Sequence, residues 1–291
     1  MKRKYILITL FLLLAVYFLL PFLNDLSQDK IPYPIITIGD TNILKDIEIN
    51  SYASPIFLEG NEKAVLIIHG YLASPQEVEQ LANYLNEKGY TVFAPLMEGH
   101  GSDYKDLENV SWEDWMEESE YYYGLLDENY EEVNVIGFSL GSLSALELSM
   151  NYELDSLTVI GSPIFIFLEE INDLDFYVEE ISEYIPYFKK ANVITDIVIG
   201  RQTYSFIPTS SVLEVMEYSE EVRDNLGKVD DEIFIVHGNF DTTSDPYSSE
   251  YIYENISSEE KEIYYVNSLH TVLMGIHDQD VFENILEFIE S

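Results

Sequence analysis

The stretch Val133 to Met150, VNVIGFSLGSLSALELSM, changes character in its middle, and that change restricts the fold more than any other feature of the chain. Val133, Val135, Ile136 and Phe138 read as a buried strand, while Leu140, Leu143, Ala145, Leu146 and Leu148 read as one face of a helix. The switch occurs at Gly137-Phe138-Ser139-Leu140-Gly141. A strand that turns this abruptly into a helix brings two backbones close together, so the positions two before and two after the serine must be nearly bare. Such a turn holds the serine backbone under strain and exposes its hydroxyl at the end of the strand. The helix that starts there aims free N–H groups at the same point, and the N–H of Leu140 is placed to stabilise a developing oxyanion. An ordinary serine N-cap between packed glycines would carry the same five letters, so the surroundings decide between the two.

Those surroundings alternate. The run Ala64 to His69 is apolar throughout and ends at a glycine, as a central strand covered on both faces would. A helix is expected over Pro75 to Lys88 with Ser74 as its cap, then a strand at Thr91 to Ala94 and a helix over Trp112 to Asn129. After the serine turn, a strand is expected at Leu157 to Ile160. The rhythm then breaks, and residues 164–207, rich in aromatics and acids, read as an inserted, mostly helical cap. It resumes with a helix near Ser210 to Leu226, a strand at Ile233 to His237, a helix over Tyr247 to Asn255, a strand at Glu262 to Val266 and a helix from Asp278. Strand and helix in repeated succession predict an α/β fold: a mostly parallel sheet with helices on both faces, formed by residues 55–163 and 208–291.

The start of the chain is of different material. Lys2, Arg3 and Lys4 precede an uncharged run from Tyr5 to Leu23, which as a helix would span about 28 Å, close to the hydrocarbon thickness of a bilayer. No small-residue cleavage site follows it, so residues 1–23 are expected to be an uncleaved membrane anchor, with the basic end in the cytoplasm and the rest of the chain outside. Residues 24–54, with Pro32, Pro34 and Gly39, read as a stalk or irregular leading segment. Composition removes other classes of function. With 54 acidic against 14 basic residues, the net charge of −40 repels phosphate backbones and argues against a nucleic-acid partner. The absence of cysteine excludes disulfides, thiolate metal sites and cysteine nucleophiles. Nothing in the pattern specifies an oligomeric state.

A serine hydroxyl needs a base, and the base needs a carboxylate to orient it. Among five histidines, His270 in SLHTVL falls just past the last expected strand, at the same sheet edge as Ser139, with His277 as the alternative. His69 suits support of a loop. For the acid, Asp241 lies just beyond a strand end in VHGNFDTTSDP, and its competitor Asp245, placed before Pro246, suits a helix cap.

Taken together, LIIHGYLASPQEV, APLMEGHGSDY, SWEDW, VIGFSLGSLSALEL, VIGSPIF, VHGNFDTTSDP and SLHTVL resemble the α/β-hydrolase superfamily, in particular its small carboxylesterase and monoacylglycerol lipase branch. The resemblance runs from about Pro55 to Ser291, and the order Ser139, Asp241, His270 is the chain order of that pattern. It implies Ser139 as nucleophile, Asp241 as acid and His270 as base, with the backbone N–H groups of Tyr71 and Leu140 as the oxyanion hole. It further implies a cap over an acyl pocket and cleavage of short- to medium-chain esters or monoacylglycerols through an acyl-enzyme, without cofactor or metal. An acyltransferase or thioesterase could use the same triad, and a non-catalytic binding module would require a damaged one. The chain departs from the branch in having Ser142 where a further glycine is common, and in its membrane span.

Overall fold

The computed structural model describes residues 29–166, 184–190, 196, 198–275 and 278–291. The expected anchor, 1–23, lies outside them, as do much of the expected insert and the alternative base His277. Among the described residues no helix is long and apolar enough to cross a membrane.

From residue 29 onward the stretch expected to be a stalk is folded onto the body. It forms two antiparallel pairs, β1 (Lys30–Pro32) with β4 (Glu48–Asn50) and β2 (Ile36–Ile38) with β3 (Thr41–Ile43). Ile38, Ile43 and Ile49 are buried in the main core, and Lys45 reaches the carboxylates of Glu98 and Glu118. Strands of three residues offer one or two inward positions each, too few to show a period in the sequence.

The sheet begins with β5 (Ile56–Leu58), an antiparallel edge strand, and continues through β6 (Lys63–Ile68), β7 (Thr91–Ala94), β8 (Glu132–Phe138) and β9 (Ser156–Ile160). A separate antiparallel pair, β10 (Tyr187–Lys189) with β11 (Phe206–Pro208), lies among the described residues at the end of the insert, and much of the segment expected to be helical lies outside them. β12 (Ile233–Gly238) and β13 (Lys261–Val266) complete a seven-stranded sheet of order β13-β12-β9-β8-β6-β7-β5, parallel except at β5.

The unbroken apolar runs follow from two covered faces. Leu66, Ile68, Val135, Leu157, Val159 and Ile235 face one core, against α2 (Trp112–Asp127), α3 (Leu140–Asn151) and α4 (Thr209–Asn225). Val65, Ile67, Ile136, Phe138, Ile160 and Val236 face the other, where Leu81 and Leu85 of α1 (Glu79–Glu87) and Val281, Phe282 and Ile285 of α6 (Asp278–Ile289) cover them. α5 (Tyr247–Asn255) packs beside β12 and β13. The helix expected from Pro75 opens as a 3-10 turn over Pro75–Val78, and the Ser74 side chain makes no capping hydrogen bond.

Register brings the strand ends level. Ile68 pairs with Gly137, Phe138 with Ile160, Ile160 with Val236, and Gly238 with Val266. The segments after β6, β8, β9, β12 and β13 therefore emerge along one edge. The chain runs outward from β6 to β7 and then returns to β8 on the other side of β6, so the β6/β8 boundary is the switch point where ligands bind in such sheets.

Gly137 and Gly141 make the turn at that boundary possible. A methyl on Gly137 would run into the Gly141 carbonyl and lie 2.5 Å from Ser142 Cα, and one on Gly141 would strike the Ile68 carbonyl. Gly137→Ala should therefore destabilise the protein by about 3 kcal/mol, lowering Tm by roughly 10 °C. Gly124→Ala, in a helix where an added methyl meets nothing within 4 Å, should stabilise. Thermal melts of the two variants check both signs.

Candidate active site

Ser139 is held at φ 53°, ψ −119°, in the left-handed half of backbone space that a residue with a side chain avoids. Three hydrogen bonds near the turn hold it there. The Ser139 N–H donates to Ile160 O at 2.8 Å, and its carbonyl accepts from the Ser142 N–H at 2.8 Å and from the Ser142 hydroxyl at 2.5 Å. Ser142, which departs from the family pattern, thus closes the first turn of the helix.

The loop after β13 brings His270 to this serine. Gly238 allows its approach, since a methyl there would sit 2.5 Å from Leu269 O and 2.7 Å from Ser268 O. His270 Nε2 lies 2.9 Å from Ser139 Oγ, and its Nδ1 lies 2.6 Å from Asp241 Oδ2. Asp241 follows β12, and its Oδ1 accepts the N–H groups of Thr243 at 2.7 Å and Ser244 at 3.1 Å. Burial pushes the Asp241 carboxyl up, but hydrogen bonds from His237, His270 and Thr243 outweigh it and hold the group well below the usual carboxylate range. An ionised Asp241 accepts from Nδ1–H of His270, which leaves Nε2 free to accept the serine proton. The three side chains singled out by the sequence thus stand in one hydrogen-bonded line. Asp245 is elsewhere employed, accepting the Tyr247 N–H at 2.9 Å at the start of α5.

Sequence reasoning did not find the second partner of Asp241. His237, fully buried at the end of β12, has Nε2 3.3 Å from Asp241 Oδ2 and Nδ1 2.7 Å from Ser249 Oγ. The spacing of four residues in HGNFD was the available signal.

The loop after β6, His69-Gly70-Tyr71, lies across from the serine. A methyl on Gly70 would come within 3.1 Å of Ser139 Cβ. The Tyr71 hydroxyl pairs with Ser211 Oγ at 2.5 Å, and its ring meets Trp115 and His100 edge-on. His69 accepts the Met97 N–H at Nε2 (3.2 Å), so its Nδ1–H donates to Gly70 O (2.9 Å), as suits the loop-supporting role expected of it. His100 donates from Nδ1 to Glu98 O at 2.9 Å, and its ring lies 5.1 Å from that of His69. Burial pushes His69 down to about 4 and His100, with His69 beside it, down to about 3. Both are neutral supports at pH 7. Among the described residues no three histidine or acidic side chains converge to hold a metal ion.

Comparison with known proteins agrees with the fold. A family model described as serine aminopeptidase, S33, matches residues 59–188. A carboxylesterase of Bacillus subtilis (strain 168) is 27% identical over 240 residues, covering 81% of this chain and 96% of the relative. A thermostable monoacylglycerol lipase of Bacillus sp. (strain H-257) is 26% identical over 245 residues, covering 82% and 94%. Among solved structures, a metagenome-derived lipolytic enzyme superposes with a TM-score of 0.76 at 20% identity, covering 83% of this chain and 99% of its own. The strand order, the serine turn and these likenesses define the chain as an α/β hydrolase. Within that fold the chain is a hydrolase enzyme similar to carboxylesterases and monoacylglycerol lipases.

The two buried histidines set a pH dependence. In the unfolded chain each takes up a proton near pH 6.5, while the folded values are near 4 and 3. Between these limits the unfolded state binds more protons, so the contribution of neutral burial falls as pH falls. The stability of the wild type relative to His100→Gln should therefore decrease between pH 7 and pH 5, read from urea midpoints; a constant difference would contradict neutral burial.

Proposed function

We propose that this serine hydrolase cleaves carboxylic esters through an acyl-enzyme on Ser139, with short- to medium-chain acyl esters and monoacylglycerols as its substrates. The observation that carries the reading is the line from Ser139 Oγ through His270 to Asp241, built on a serine at positive φ. Ser139 gives its proton to His270 Nε2 as its oxygen attacks the ester carbonyl, and Asp241, already ionised, stabilises the imidazolium. The proposed oxyanion donors are the N–H groups of Leu140 and Tyr71. Leu140 is the first residue of α3 and has no preceding turn to accept its N–H, and the nearness of Gly70 to Ser139 supports Tyr71. The imidazolium returns its proton to the departing alcohol, leaving the acyl group on Ser139. Water, giving a proton to His270, then attacks the acyl carbonyl, and as the acid leaves His270 returns that proton to Ser139 Oγ. The relatives named carboxylesterase and monoacylglycerol lipase support the substrate class.

The reading includes an anchor formed by residues 1–23, with the catalytic body on the outer side of a membrane. The uncharged run after Lys2, Arg3 and Lys4 supports it. Full-length protein should stay with membranes through alkaline carbonate extraction, whereas a chain starting after Leu23 should be released; equal release of both would refute the anchor.

Assayed on p-nitrophenyl esters of increasing acyl length, Ser139→Ala should lower kcat by on the order of 10⁶ and Asp241→Asn by about 10⁴, with folded structure retained. Turnover by folded wild type that survives Ser139→Ala, or absence of turnover at every chain length, would overturn the esterase reading.

A further inference from the structure

The proposed donor at Tyr71 depends on how its loop is placed, and that loop is held by a side chain several residues further along. Glu77, 2% exposed, accepts the Gly70 N–H on Oε1 at 2.5 Å. A methyl on Gly70 would lie 2.9 Å from that oxygen and 3.1 Å from Ser139 Cβ, so the carboxylate, the Gly70 backbone and the serine follow one another in direct packing. The other carboxylate oxygen, Oε2, takes Arg201 Nε at 2.8 Å and Nη2 at 2.6 Å. Arg201 belongs to the insert. On its far side Nη1 lies 3.5 Å from Asp196, and Lys190 meets Asp196 at 2.5 Å and Thr203 Oγ1 at 2.8 Å.

The two acids and two bases cancel in charge. Burial alone would lower the Arg201 pKa, but Glu77 and Asp196 outweigh it and keep the guanidinium charged. Of only 14 lysines and arginines in the chain, two lie in this interior cluster while a strongly acidic surface surrounds the body. Stability does not account for that placement, because well-packed apolar residues often serve as well as a buried ion pair. What a carboxylate provides here, and an apolar side chain cannot, is a fixed acceptor for the peptide that precedes Tyr71.

We infer that Glu77 is a positioning residue for the oxyanion hole and that Arg201 holds it in place. The inference rests on the ester-hydrolase reading above. A charge-assisted hydrogen bond to Gly70 fixes the plane of its peptide, and that in turn aims the next N–H, that of Tyr71.

Two double variants test it without leaving an ion unpaired, since the Lys190–Asp196 pair remains in both. Glu77→Gln with Arg201→Met keeps a carbonyl acceptor for Gly70, and Glu77→Leu with Arg201→Met removes it. On p-nitrophenyl butyrate, the first should retain kcat within about threefold of wild type, and the second should lose about 10²-fold with KM little changed. The inhibition constant of a trifluoromethyl ketone, whose adduct oxyanion needs the same donors, should rise in parallel. Arg201→Met alone should fall between them. In ¹⁵N-tyrosine-labelled protein, the Tyr71 amide resonance should move in the leucine variant and stay near its wild-type position in the glutamine variant. Equal kcat and ketone affinity in the two doubles, or an unmoved Tyr71 amide, would overturn the inference and leave Glu77 a packing residue. A wild type without Ser139-dependent turnover would defeat the ester-hydrolase reading instead, and the Tyr71 amide would still decide the placement.

Discussion

The close approach of two backbones at the end of β8 is the constraint on which the rest of the site depends. Gly141 lies against the Ile68 and His69 carbonyls, and Gly137 against the first turn of α3, so strand, helix and the β6 loop meet with no side chain between them. That contact holds Ser139 at a backbone angle costing of order 1–3 kcal/mol. The surrounding sheet sustains it, because the Ser139 N–H is already tied to the neighbouring strand through Ile160. The parallel register then delivers the other participants to the same edge: Asp241 from β12, His270 from the loop after β13, and the Gly70-Tyr71 peptide from β6.

Charge is distributed with the same economy of place. Asp241 is buried, yet two histidines and two backbone N–H groups surround it, so the ionised form is the favoured one. The histidines beneath the Tyr71 loop are kept neutral by burial, and each has a defined tautomer because one ring nitrogen faces a backbone carbonyl. Cations inside the body appear where acids must be held still. Lys45 ties the leading segment to Glu98 and Glu118, and Arg201 ties the insert to Glu77.

Much of this was legible in the sequence, for identifiable reasons. The central strands announced themselves because burial on both faces makes every position apolar, and Thr91–Ala94 and Tyr247–Asn255 have the expected bounds. Ser139, Asp241 and His270 were legible because each follows a strand that ends at the same edge. Three things were not. The leading strands are too short to carry a period, so residues 29–54 read as irregular. The β10–β11 pair joins segments with Phe206 opposite Lys189, and its pairing has no local signal. His237 and Glu77 act through contacts across the fold, and their chemistry appears only when those contacts are made.

The base of the insert has one further consequence. Ile166 bridges to Ser244 on the way out, β10 pairs with β11 on the way back, and the Tyr204 N–H and hydroxyl bond to Leu72 O and Gly99 O. The described ends of the insert are thus fixed to the body, and between ends fixed in this way a longer connection is cheap, with each doubling of its length costing only about 0.6 kcal/mol in closure entropy. The sequence between these attachment points can therefore change in length while the line from Ser139 through His270 to Asp241 stays intact. The fold separates what must be conserved from what selection is free to rewrite.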